Sequence, residues 1–154
     1  MERTGIPALK GVWIGTLEYR DYQDDSRQRL ATILRITPLL DGKFSFRYVY
    51  DDGPKKVIQS TDLITIESGK YTEKPEDGEA TARALEGLER LAPDGTGTLV
   101  LRGENIDNGV RVATRTTVRI GKATLSFRKE FQGPGGKWEF RNEYKLVRVS
   151  QPGK

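Results

Sequence analysis

The side chains available for chemistry in this chain are limited by its composition. Its 154 residues include no cysteine and no histidine, which excludes a thiol nucleophile, a disulfide, a Cys/His metal site and an imidazole base. The adjacent carboxylates of Asp24-Asp25 and Asp51-Asp52 are of a type that serves acid–base chemistry or binds a hard cation. Their spacing fits neither an EF-hand nor a glycosidase, and Asp next to Gly is ordinary turn chemistry. We therefore predict no catalytic residue, no metal site, no cofactor and no enzymatic activity.

Aromatic and hydroxyl side chains form the most coherent candidate site. Four aromatic residues alternate with other types in Lys43–Tyr50, so they share one face of a strand. Such a face could line a cavity for a small hydrophobic or aromatic ligand, oriented by a few polar contacts. The alternative is a packed core that holds no ligand. The candidate cavity-lining residues are Tyr19, Phe46, Tyr48, Tyr50, Thr114, Thr116, Phe127, Phe140, Asn142 and Tyr144.

Lys129 is a second candidate, because it shares a strand face with Leu125 and Phe127. It is either an inward cation that would pair with a ligand carboxylate or a residue at the rim. We expect the rim, since an unpaired buried amine is costly.

A row of basic residues could bind phosphates, as in barrels that bind single-stranded nucleic acid between interleaved aromatics. Here the aromatic residues fall on the opposite strand face. Glu130, Glu139 and Glu143 fall on the outer face of neighbouring strands, where cross-strand ion pairing is usual. We expect a charge-paired surface and no nucleic-acid partner, even though the net charge is +4. The basic residues concerned are Arg102, Arg111, Arg115, Arg119, Arg128 and Arg141.

The elements that must position these residues are β-strands. Alternation with period two runs through most of the chain and is interrupted by turn sequences such as Asp41-Gly42 and Gly133–Gly136. We predict an all-β fold, a single antiparallel up-and-down β-barrel of about eight to ten strands, the range in which one sheet closes on itself. One segment, 79–92, is rich in Ala, Leu and Glu and fits either a short helix or a further strand.

We expect residues 1–154 to form one domain with flexible ends at about 1–8 and 150–154. No apolar run is long enough to span a membrane, and Met1–Gly5 lacks the apolar core of a signal peptide. These features indicate a cytoplasmic protein as the sequence is written, or a periplasmic or secreted one if such a peptide was removed.

Gly11-Val12-Trp13 lies at the start of the first predicted strand, and Arg148 lies near the end of the last. This arrangement resembles the Gly-x-Trp signature of the calycins, the lipocalins and fatty-acid-binding proteins. In lipocalins the Trp plugs one end of the barrel and a late Arg lies across it. The resemblance therefore implies that Trp13 and Arg148 form a structural plug, with a cation–π contact worth about 0.5–2 kcal/mol.

Other parts of the chain carry the same resemblance. Tyr48–Pro54 and Arg141–Tyr144 are similar to a bacterial lipocalin-like group, and Thr61-Asp62 loosely matches the second lipocalin motif. Fold and lining together predict non-catalytic binding of a small hydrophobic or aromatic molecule in a barrel cavity. The alternative is a structural or protein-interaction barrel with a filled interior, and the volume of that interior distinguishes the two.

Overall fold

A computed structural model of the chain describes residues 6–21, 24–54, 56–107 and 109–149. Ten strands in the described residues form one closed antiparallel barrel, which confirms the predicted fold class. Each strand pairs with its neighbours in the chain, and the first strand pairs with the last. The strands are β1 (Gly11–Asp21), β2 (Ser26–Pro38), β3 (Lys43–Asp51), β4 (Val57–Glu67), β5 (Lys70–Pro75), β6 (Thr81–Glu86), β7 (Gly97–Asp107), β8 (Val110–Ile120), β9 (Thr124–Gln132) and β10 (Trp138–Arg148).

The barrel closes where β1 meets β10, in a register that runs from Trp13 opposite Arg148 to Tyr19 opposite Asn142. This seam brings the two ends of the ribbon side by side. Within the described residues, no helix is long and apolar enough to cross a bilayer.

The segment 79–92 contains a strand and no α-helix. Strand β6 pairs with β5 and β7 and buries Leu85 against the core. The barrel could not close without it, because β6 joins these two strands. Gly87 ends the strand with a backbone φ of 100°, a value that favours glycine. A single 3-10 turn, Leu88–Arg90, follows it.

One end of the barrel is plugged by Trp13, whose side chain is fully buried. Its indole Nε1 donates a hydrogen bond to the carbonyl oxygen of Leu9, 3.0 Å away. The Arg148 guanidinium lies 4.2 Å from the centre of the Trp13 ring and donates to the carbonyl oxygens of Lys10, Ala8 and Lys122 at 2.6, 2.7 and 3.0 Å. The plug therefore joins both ends of the sheet to the β8–β9 turn.

The chain entering β1 belongs to this plug. Ile6 and Leu9 are buried in the same core as Trp13, and Pro7–Leu9 forms a 3-10 turn. Within the segment 1–8, expected to be flexible, Ile6 is packed into the core, whereas residues 1–5 and 150–154 lie outside the described residues.

Strand β10 contains an irregularity that divides its inner face. The register with β9 shifts between Phe140 and Asn142, so the period-two alternation of side chains along the strand is interrupted at Arg141. Beyond the shift, Asn142 and the alternate residues after it face the lumen. Before the shift, Trp138 and Phe140 face outward.

Candidate functional site

A cavity of about 200 Å³ lies in the lumen, away from the plugged end. It reaches the surface near Ser60, an exposed residue in its lining. Strands β5 and β6 have six residues each, whereas the others have nine to thirteen, so the wall is low on that side. The cavity is lined by Tyr48, Tyr50, Ser60, Asp62, Tyr71, Glu73, Arg83, Leu101, Thr116, Phe127, Lys129, Asn142 and Tyr144.

Tyrosine side chains form one wall of the cavity. The hydroxyls of Tyr50 on β3 and Tyr144 on β10 are hydrogen bonded at 2.6 Å, which links the two strands across the lumen in front of β1 and β2. Tyr48 stacks on Tyr50 with ring centres 5.8 Å apart and packs against Tyr144 at 5.4 Å. Phe127 meets Tyr144 edge to face at 6.2 Å. A planar apolar group fits such a wall, because aromatic rings pair in stacked and edge-to-face arrangements.

The tyrosine hydroxyls are neutral hydrogen-bonding groups at physiological pH. Burial raises the pKa of Tyr48, Tyr50, Tyr71 and Tyr144 above the ordinary value of 10, because it disfavours the charged phenolate. Each hydroxyl can therefore both donate and accept a hydrogen bond.

Four ionisable residues share the cavity with the tyrosines. Arg83 on β6 pairs with Glu73 on β5 at 2.7 Å, and only 12% of the arginine side chain is exposed. Asp62 on β4 and Lys129 on β9 make up the rest of the set. The formal charges of the four residues cancel.

Asp62 and Lys129 both have shifted pKa values. Burial, and then the hydrogen bond with Glu73 and the charge of that residue, raise the pKa of Asp62 to about 6. Burial, together with the charges of Arg83 and Arg141 and against the opposing effect of Glu73, lowers the pKa of Lys129 to about 8. Both shifts disfavour the ionised form, because water is replaced by protein around each group.

Six of the ten residues predicted to line a cavity do so in the structure: Tyr48, Tyr50, Thr116, Phe127, Asn142 and Tyr144. The other four lie elsewhere. Phe46 is buried in the core between Phe44 and Phe127, and Tyr19 is half-buried in register with Asn142. Thr114 is buried in register with Phe131, and its Oγ1 has no hydrogen-bond partner among the described residues.

Phe140 is the one candidate on the outer face. The register shift puts it opposite Glu130 of β9, and the guanidinium groups of Arg27 and Arg128 lie 4.0 and 5.0 Å from its ring centre. The prediction that Phe140 points into the lumen is therefore wrong. The shift adds one residue to β10 relative to β9. The alternation of residue types in the sequence cannot reveal this extra residue, because its position depends on how β10 pairs with β9.

Sequence reasoning missed Asp62, Glu73 and Arg83, and it placed Lys129 at the rim. The signal was present for two of them: Asp62 is in step with Ile64 and Ile66, which are buried. Arg83 is in step with Leu85, but the helix alternative for 79–92 obscured it. Glu73 is followed by Lys74, Pro75, Glu76 and Asp77, a polar sequence typical of a loop, but it lies within β5.

The basic residues of the outer face are largely engaged by glutamates. Arg115 bonds Glu130 through Nε and Nη2 at 3.0 and 2.8 Å, and Arg128 bonds Glu143 at 3.0 Å. Arg102 pairs with Glu86 at 2.9 Å and Arg111 with Glu104 at 3.1 Å. Cross-strand ion pairs of this kind reduce the positive potential available to a phosphate chain.

Fold and site together define a class of protein: a closed ten-stranded antiparallel barrel, consistent with a calycin-like architecture, that holds an aromatic and ionisable cavity. No protein-family model matches the chain. No curated protein matches its sequence either. Among the described residues, no group of three or more carboxylates is placed to hold a metal ion.

Proposed function

We propose that this protein is a lipocalin-like barrel that binds a small molecule in its lumen without transforming it. The observation that carries the proposal is the cavity of about 200 Å³, lined by stacked tyrosines and by ionisable side chains. A barrel with a structural role alone has no need to keep charged groups in such a space, because burying them costs free energy.

The size of the cavity limits the ligand. Drug-sized ligands occupy pockets of roughly 300–1,000 Å³, so this one suits a smaller molecule of roughly ten non-hydrogen atoms. A long acyl chain exceeds it. The tyrosine wall favours a flat aromatic body, and the hydroxyl, amide and ionisable groups favour polar substituents on it. Of the two classes that the sequence predicts, hydrophobic and aromatic, the ligand we propose is the aromatic one, with more polar groups than a purely hydrophobic molecule.

Binding can be tested by NMR titration of small aromatic compounds, with backbone amide shifts as the readout. We expect the shifts to concentrate on the cavity-lining residues of β3, β4, β9 and β10. A pattern confined to outer-face residues would contradict the proposal.

Two substitutions on β4 provide a matched comparison. Ser60→Phe places a ring at the exposed mouth of the cavity, and Gln59→Phe places the same ring on the outer face of the same strand. We expect Ser60→Phe to weaken binding at least about tenfold, equivalent to 1.4 kcal/mol, and Gln59→Phe to bind as the wild type does. Equal binding by both variants would mean that ligands do not enter the lumen.

A further inference from the structure

Within the part of the chain that the structure describes, Asp62 and Lys129 have no ion-pair partner of opposite charge. Glu73 and Arg83 pair with each other. Among the described residues, no cationic nitrogen lies within 4.0 Å of the Asp62 carboxylate, and no carboxylate oxygen lies within 4.0 Å of Lys129 Nζ. The side chain that acts on the pKa of Asp62 is that of another acid, Glu73.

The strand order places these two unpaired groups on opposite walls. Strands β4 and β9 are separated by five steps around the ten-strand ring in either direction, which is half of the circumference. Asp62 and Lys129 both point into the lumen and both line the same cavity. The space between them therefore has an acidic side and a basic side.

Each side also has neutral hydrogen-bonding groups. Lys129 lies in register with Thr116 on β8 and Asn142 on β10, and the charges that act on its pKa are those of Arg83, Glu73 and Arg141. On the other wall, Ser60 lies two residues from Asp62 on the same face of β4.

We propose that the ligand is a small aromatic zwitterion of the amino-acid type, with its ammonium group toward Asp62 and its carboxylate toward Lys129. This proposal rests on the proposed function and names the class of molecule bound at that site. A half-buried charge without a counter-ion is costly, and a zwitterion supplies one to each group. A monoanion leaves Asp62 without a counter-ion, and a monocation leaves Lys129 without one.

Four compounds with closely matched aromatic skeletons test the charge requirement: phenylalanine, 2-phenylethylamine, 3-phenylpropanoate and 2-phenylethanol. Affinities are measured by isothermal titration calorimetry at pH 7. We expect phenylalanine to bind at least about tenfold more tightly than each of the other three.

Two substitutions that each remove one side-chain charge, the first of them isosteric, test which end of the ligand faces which residue, with circular dichroism to check that each variant is folded. Asp62→Asn should weaken phenylalanine binding about tenfold and leave 3-phenylpropanoate within about twofold of wild type. Lys129→Gln should weaken phenylalanine and 3-phenylpropanoate and leave 2-phenylethylamine within about twofold. Lys145→Gln, at an exposed position on β10, is the control and should change none of the affinities.

The possible failures are distinct. If 2-phenylethanol or a singly charged compound binds as tightly as phenylalanine, the zwitterion proposal is wrong while the proposed function stands. If phenylalanine binds best but neither substitution weakens it, its ammonium does not face Asp62 and its carboxylate does not face Lys129, and the proposal is again wrong. If none of the four compounds binds, the zwitterion proposal fails, and NMR titration with other aromatic compounds decides whether the proposed function fails as well.

Discussion

Asp62 occupies a position that works against the stability of the fold. Its side chain faces the lumen beside Glu73, and its pKa is raised to about 6, chiefly by burial. A group whose pKa is higher in the folded protein than in the unfolded chain favours folding most at low pH. That contribution is lost as the pH rises from the unfolded value of 3.8 through about 6.

Replacing this carboxyl by an amide should therefore stabilise the protein in a pH-dependent way. Relative to wild type, we expect Asp62→Asn to raise the free energy of unfolding by about 1 kcal/mol at pH 8 and to leave it nearly unchanged at pH 4. This figure discounts the full shift because the group is partly solvated. Urea unfolding at the two pH values measures the difference.

The matched control is Asp77→Asn, at an exposed loop position, which should show no difference between the two pH values. A stabilisation of Asp62→Asn that is equal at pH 4 and pH 8 would mean that the amide acts through packing rather than through charge. A gain in stability coupled to a loss of ligand binding is typical of functional sites.

The strands shape the site through their departures from regularity. The shift in β10 points Asn142 and Tyr144 into the lumen and keeps Phe140 out of it, which leaves room beside Lys129. Strands β5 and β6 are the shortest of the barrel, and the Glu73–Arg83 pair lies on them. β-Bulges commonly occur beside binding sites because they redirect side chains in this way.

The close approach of β1 and β10 at the seam requires a glycine at position 15. A Cβ atom added at Gly15 would fall against the carbonyl oxygen of Lys145 and 2.9 Å from the Cα of Leu146. Backbone cannot move aside as a flexible side chain does, so the two strands approach each other more closely than any larger residue permits.

We therefore expect Gly15→Ala to destabilise the protein by about 2–3 kcal/mol or more, as overpacking does in a tight interior. Thermal and urea unfolding measure the loss. Gly135→Ala is the control, because an added Cβ there meets nothing within 4 Å. Equal stability of the two variants would show that the seam can open without cost.

The barrel as a unit depends on closure between its first and last strands. Arg148 contributes to that closure from the end of β10: it covers Trp13, binds two carbonyls of the segment entering β1 and binds a third in the β8–β9 turn. One side chain thus joins parts of the chain that are more than a hundred residues apart.

Removing this guanidinium should lower the stability of the entire barrel. Arg148→Met keeps much of the side-chain volume but leaves three carbonyls without their donor and the indole without its cation. We expect a loss of about 2–3 kcal/mol in the free energy of unfolding, measured by urea denaturation. Arg35→Met, at an exposed position on the outer face of β2, should change it by less than about 0.5 kcal/mol. A neutral Arg148→Met would mean that other contacts hold the seam.

The strands, the closed antiparallel order and six of the cavity-lining residues were predictable, because they depend on local properties. Side chains alternate in every strand, and residues such as Asp41-Gly42 fit tight turns wherever they occur. The contact of Arg148 with Trp13 was implied by the resemblance to the lipocalins, and the structure shows the guanidinium over the indole ring. Because the turns between successive strands are short, few topologies other than neighbour-to-neighbour pairing were possible.

The ionisable part of the cavity could not be predicted in this way. Whether Glu73 is in a loop or a strand, and whether 79–92 is helix or strand, depends on the gap that the remaining strands leave in the wall. The outward turn of Phe140 depends on its register with β9. The pairing of Arg83 with Glu73, and the absence of such a pair for Asp62 and Lys129 among the described residues, depend on distances across the lumen. Alternation along a strand gives the face of each side chain, but only the closed barrel brings groups from different strands together.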